Sequence, residues 1–210
     1  MADFKVDMIY FDMDGVLADF ERGVKELCHM DPLDQNGKNR NKDIDDKMWE
    51  KIRDIGDFYD ELELMPGAKE MFDLVYNKYK DKCEILTGIP KEKRGIVTAG
   101  SDKEKWVRRL LSEDIKIRIV YREDKPNYCK GPGCVLIDDM IKNIKEWEDE
   151  GGTGIQNVSA RSTIRRLMEL GILDKDEKYF HSGFDAPVQG IVLSKDTVIT
   201  RNPDGTLNLK

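Results

Sequence analysis

Two aspartates separated by one residue, Asp12 and Asp14, follow the apolar run Met8–Phe11 and precede Gly15 in the stretch "IYFDMDGVLADFE". Anions beside a buried strand are costly unless something pairs with them. A second pair, Asp138 and Asp139, closes the run "CVLI", and Thr87 and Gly88 close "KCEIL". If these runs are parallel strands, their ends share one edge of a sheet, where three or four crowded carboxylates require a cation. Carboxylate and backbone-carbonyl oxygens favour Mg²⁺, which keeps several waters and meets substrate phosphate directly. Phosphoryl transfer suits that metal. One carboxylate attacks phosphorus, a lysine neutralises the phosphoryl oxygens, and a second carboxyl protonates the leaving oxygen and then activates water. Lys103 is the candidate lysine, with Lys105 close by but on another part of the expected helix. The capping box "SDKE", Ser101 to Glu104, is expected to start a helix with Lys103 at its second position, where free backbone amides favour an anion.

The elements that must position these residues are legible as alternating apolar runs and amphipathic segments. "KVDMIYF" reads as a strand covered on both faces, because Met8 to Phe11 form a run rather than an alternation. "KCEILT", "IKIRIVY", "CVLIDD" and "GTGIQNV" are the other expected strands. Helices are expected from Asp19 to His29, over "DIDDKMWEKIRDIG", from Pro66 through "GAKEMFDLVYNKYK", over "MIKNIKEWED" and over "SARSTIRRLMELG". The stretch "DPLDQNGKNRNKDIDD" is almost wholly polar and reads as a solvated excursion. This alternation implies a Rossmann-like α/β fold, a parallel central sheet flanked by helices, with ligands beyond the carboxyl ends of the strands. The tail, with its β-like runs and an Asp204-Gly205 turn, reads as a small β-hairpin appendage.

Composition narrows the class further. The 210 residues carry 35 Lys and Arg against 42 Asp and Glu, a net charge of −7 that weighs against a duplex nucleic-acid partner without excluding a local pocket for one anion. No apolar stretch approaches the roughly 18 residues of a membrane span, and "MADFKVDM" lacks the basic and apolar regions of a secretory leader, so a cytoplasmic location and no membrane partner are expected. The 4 cysteines are scattered, and reduced thiols are expected of them. "DMDG" does not read as a calcium loop, because that loop wants its glycine at the sixth position and Gly15 is the fourth from Asp12.

In order along the chain, "DMDGV", "ILTG", the lysine of "DKEKW" and "LIDD" resemble the four motifs of the haloacid dehalogenase phosphohydrolase superfamily. "DMDGVLADFE", "WEKIRDIGDFYDELELMPGA", "ILTGIP" and "KEKWV" are similar in wording to the 5′(3′)-deoxyribonucleotidases. The resemblance implies Asp12 as nucleophile and Asp14 as acid and base. It implies Thr87, Gly88 and Lys103 as phosphate ligands, and Asp12, the Asp14 carbonyl and Asp138 as Mg²⁺ ligands. It also implies a small helical cap over the site, with Trp49, Phe58 and Tyr59 as candidates for stacking a base. Asp139 either supports the metal ligands from behind or caps the next helix.

The expected organisation is a catalytic core over 1–17 and 65–170, a cap over 18–64 and an appendage over 171–210. The expected activity is Mg²⁺-dependent hydrolysis of phosphate monoesters, with a (deoxy)nucleoside monophosphate as the small phosphorylated substrate. Another phosphometabolite or a nucleic-acid 3′-phosphate end is the first alternative, and a non-catalytic binding protein that keeps the fold is the second. A homodimer is left open.

Overall fold

The computed structural model describes residues 4–31 and 41–180 together with the strand residues 199–201 and 207–209. Most of the polar excursion and the Asp204-Gly205 turn therefore lie outside the described residues. Contacts divide the chain into two units, Met1–Tyr179 and Phe180–Lys210.

In the first unit the strands β1 (Met8–Phe11), β2 (Cys83–Gly88), β3 (Lys116–Val120), β4 (Cys134–Asp138) and β5 (Thr153–Gln156) form one five-stranded sheet in the order β3-β2-β1-β4-β5. Every neighbouring pair is parallel, with Phe11 opposite Ile85 on one side and Ile137 on the other. The run in β1 is continuous because both of its faces are covered. Ile9 and Phe11 enter a large core with Ile85, Val135 and Ile137, whereas Tyr10 faces the opposite layer with Leu86, Leu136 and Trp147. Burial of each such aliphatic or aromatic side chain contributes roughly 1.5–3 kcal/mol, so the centre of the sheet is its most stable part.

The helices are α1 (Phe20–Leu27), α2 (Lys42–Ile55), α3 (Ala68–Tyr79), α4 (Ala99–Leu110), α5 (Ile141–Asp149) and α6 (Ala160–Glu169). Local chemistry explains most of their ends. The Asp19 carboxylate accepts from the Arg22 amide at 3.0 Å, and Asn41 accepts from Asp43 and Ile44. Gly56, at φ 88°, stops α2.

The start of α4 departs from expectation. It begins at Ala99, ahead of the "SDKE" segment, and Ser101 donates back to the Thr98 carbonyl at 2.9 Å instead of capping. Ala99 is buried, and a Cβ on Gly100 would stand 3.5 Å from Ile119, so two small residues let the first turn pack onto β3. Tertiary packing outweighs the local cap signal, and Lys103 lies a full turn inside the helix rather than at its second position. A reciprocal capping box does occur at α6, between Ser159 and Ser162.

Past Gly171, Ile172, Leu173 and Tyr179 are buried in the core of the first unit, where the Tyr79 hydroxyl donates to the Ile172 carbonyl at 2.7 Å. In the second unit β6 (Ile199–Arg201) and β7 (Leu207–Leu209) pair antiparallel.

Candidate active site

The chain leaves β1 through a tight loop. The Asp12 amide donates to Ile137 at 2.9 Å, and the amides of Leu17 and Ala18 both converge on the Met13 carbonyl at 2.8 Å. Met13 is buried, while Asp12 and Asp14 line the cavity above it. Gly15 adopts φ +72°, and a Cβ there would stand 2.5 Å from Oδ2 of Asp139, so the turn needs a residue without a side chain. Asn157 holds the loop by donating to the Gly15 carbonyl at 3.0 Å.

At the end of β4, Asp138 is fully buried and accepts from the Met140 amide at 2.9 Å and from the Asn143 side chain at 2.9 Å. Lys125 completes its shell at 2.7 Å and also pairs with Oδ1 of Asp12 at 2.9 Å. Burial opposes charge on the Lys125 ammonium, but Asp12 and Asp138 together hold its pKa above the ordinary value. Burial and the nearby Asp12 raise the pKa of Asp138 against the pull of Lys125. Asp139 is pushed up to about 8 by burial, then by the charges of Asp12, Asp138 and Asp14.

Asp14 answers to a different lysine. Lys103 donates to its Oδ2 at 2.6 Å and to the Thr87 hydroxyl at 2.8 Å. Oδ1 of Asp14 is buried and lacks a hydrogen-bond partner, and burial raises the pKa of this carboxyl against the Lys103 charge.

Several of these side chains border a cavity of about 670 Å³. Asp12, Asp14, Lys125 and Asp139 form its floor, with Gly88 at the exit of β2, and Phe20, Trp49 and Tyr59 line its wall. Arg94, from the loop after β2, donates to Asp45 at 2.8 Å and to Asp46, and its guanidinium lies 5.7 Å from the centre of the Trp49 ring.

The structure thus brings Asp12, Asp14, Thr87, Gly88, Lys103, Asp138 and Asp139 to one sheet edge. It distributes them unevenly. Lys103 and Thr87 are fully buried behind Asp14 and do not line the cavity, whereas Lys125 does. Trp49 and Tyr59 reach the cavity, but Phe58 is packed beneath it, 5.5 Å from the Phe20 ring and 5.3 Å from the Tyr59 ring. Phe20 takes the cavity-facing place instead. Sequence reasoning missed Lys125, which sits in the 3₁₀ segment Arg122–Tyr128 where no apolar period marks it. The available signal was a lysine shortly upstream of "CVLIDD" in a chain that needed a second cation for its strand-end carboxylates.

Oxygens of Asp12, Asp138 and Asp139 lie within 4.8 Å of one another. This all-oxygen set fits a hard divalent cation such as Mg²⁺, and burial, followed by the charge of Asp12, raises the pKa of Asp138 and Asp139. Among the described residues no helix is long and apolar enough to cross a membrane.

A parallel sheet with two aspartates on the turn after its central strand and two more at the end of the neighbouring one is the arrangement that the resemblance to haloacid dehalogenase-type hydrolases implies. No family model matches the sequence. A curated relative from Vibrio phage KVP40, named "Putative 5′(3′)-deoxyribonucleotidase", is 32% identical over 144 residues, covering 65% of this chain and 68% of the relative. The chain belongs to the 5′(3′)-deoxyribonucleotidase family and is a phosphatase-type hydrolase. Among solved structures, a hydrolase from Pseudomonas syringae is similar at 20% identity and a TM-score of 0.43, over 78% of this chain and 90% of that one. A family IA, variant 3 HAD hydrolase from Entamoeba histolytica HM-1:IMSS is similar at 17% identity and a TM-score of 0.38, over 80% of this chain and 90% of that one.

Proposed function

We propose that the protein hydrolyses phosphate monoesters through a phospho-aspartate on Asp12, with Mg²⁺ as cofactor and a (deoxy)nucleoside monophosphate as substrate. The observation that carries this reading is the meeting of Asp12, Asp14 and Lys125 on one cavity floor, with Lys125 paired to Asp12 and Lys103 to Asp14. Burial favours the protonated form of the Asp14 carboxyl, as a general acid requires, while Lys103 fixes its Oδ2.

In the first step the Asp12 carboxylate attacks phosphorus. The bond to the ester oxygen breaks, and Asp14 gives that oxygen its proton. In the second step Asp14 takes a proton from water, the water oxygen attacks the same phosphorus, and the acyl phosphate bond breaks to release phosphate and restore Asp12. Lys125 holds Oδ1 of Asp12 throughout and presents positive charge at the floor. Asp12, Asp138 and Asp139 would hold Mg²⁺, which when bound offsets the charge of the phosphoryl oxygens. Phe20 and Trp49 supply an apolar wall for the leaving nucleoside, and a cavity of about 670 Å³ lies within the size range of small-molecule sites. The favoured organisation keeps these aromatic residues in a cap between β1 and β2.

Phosphate release from nucleoside monophosphates, sugar phosphates and 3′-phosphorylated oligonucleotides, assayed with Mg²⁺, tests the reading. The nucleotides should turn over fastest, and negligible turnover of all of them would overturn the substrate assignment. Asp12→Asn should abolish turnover with an unchanged circular dichroism spectrum. Full activity in that variant would remove the phospho-aspartate.

A further inference from the structure

The Lys103 ammonium has three N–H donors and no access to water. Two directions are taken by Asp14 Oδ2 at 2.6 Å and Thr87 Oγ1 at 2.8 Å. The Tyr59 ring stands 4.7 Å from the same nitrogen, well inside the range of a cation–π contact. In a dry site an ammonium with an open side is penalised, and water is not there to fill it. A second carboxylate would fill it at the cost of cancelling the charge that Asp14 needs nearby. An aromatic face attracts the cation without taking either its proton or its charge.

The ring is also held in register with Lys103 by the helix that carries Lys103. On one flank of Tyr59, the Gly56 carbonyl accepts from the hydroxyl of Thr98, immediately before α4, at 2.6 Å. On the other, the Leu62 carbonyl accepts from the indole of Trp106, within α4, at 2.7 Å. Phe58 packs edge-on against the ring at 88°, which restricts its tilt. From this arrangement we infer that Tyr59 is a positioning residue: its ring face fixes the Lys103 ammonium and, through it, the orientation of the Asp14 carboxyl. Its position on the cavity wall then serves to keep water from the Lys103 ammonium, rather than to stack a base. The inference rests on the reading of Asp14 as the acid and base.

The test varies the ring's electrostatics at constant shape. Tyr59→Phe, and Tyr59→Phe carrying one to five ring fluorines, are compared in the full chain with Mg²⁺ and a nucleoside monophosphate that the wild type turns over. Tyr59→Phe should stay within about twofold of wild type in kcat. Added fluorines should lower kcat stepwise, by about tenfold over the series, with KM nearly unchanged. Equal kcat across the fluorinated variants would overturn the inference, since a purely packing role depends on shape alone. A second measurement needs no turnover. In the wild type the Lys103 ε-methylene protons should resonate upfield of the ordinary lysine range under the ring current of Tyr59, and an unshifted resonance would also overturn it. Absence of phosphate release by the wild type would instead count against the proposed function, so the two failures are distinguishable.

Discussion

Lys125 is the residue whose removal should be most informative. It is buried between Asp12 and Asp138, at 2.9 and 2.7 Å, so Lys125→Met leaves two carboxylates facing each other with nothing between them. Breaking a buried pair from one side costs about 3–5 kcal/mol, and urea unfolding of the metal-free variant should show a loss of that order. Turnover should fall with it, because Asp12 loses the partner that holds Oδ1. Lys103→Met should behave differently. It disconnects Asp14 from Thr87 without touching Asp12, so phosphate affinity measured by calorimetry should change less than kcat does. Equal losses in affinity and kcat would instead give Lys103 a direct role in phosphate binding. Both lysines are plain in the sequence, but their roles are not. Which ammonium faces a cavity and which is sealed behind a carboxylate depends on side-chain packing across the sheet, and residue type carries no record of that.

At the scale of elements, the loop after β1 and the attachment of α2 make separate predictions. Gly15→Ala places a methyl group 2.5 Å from Asp139 Oδ2 in a left-handed backbone. It should cost about 1–3 kcal/mol by urea denaturation and weaken Mg²⁺ binding, since Asp139 must move to admit it. Arg94 reaches from the loop after β2 to Asp45 and Asp46 on α2 and covers one face of Trp49. Arg94→Ala should therefore speed hydrogen exchange across α2 and raise KM several-fold, while kcat stays within about twofold. The sequence marked α1 and α2 well because Asp19 and Gly56 are strong boundary signals. It misplaced the start of α4 because "SDKE" is a good local cap, but the buried Ala99 and the close approach of Gly100 to Ile119 favour an earlier turn.

Over the whole molecule, the crowding of carboxylates at one sheet edge should appear in its stability. Asp139, raised from an ordinary value of 3.8 to about 8, keeps its proton in the folded chain over a range where the unfolded chain has released it. Its contribution is fully present below about pH 4 and is lost as pH rises through about 8. Asp14 and Asp138 are raised in the same direction. Thermal melts of the metal-free protein should therefore lose stability from this cluster between those limits, and Asp139→Asn should flatten that part of the profile. Added Mg²⁺ should restore stability most at the upper end, by about 2.7 kcal/mol at a hundredfold excess over its Kd. A metal-independent melting profile would contradict the proposed metal site.

The sequence by itself determined the parallel sheet, because continuous apolar runs between amphipathic helices bury stably only in that layering, and it marked Asp12, Asp14, Asp138 and Asp139 as strand-end charges. Only the tertiary structure decided that Lys125 joins Asp12 to Asp138, that Lys103 lies sealed behind Asp14 under Tyr59, and that Phe20 rather than Phe58 faces the cavity. The physical reason is one of range. Strand periodicity is a local property written every two residues, whereas the pairing of a buried charge is set by residues distant in sequence that meet only when the sheet is assembled.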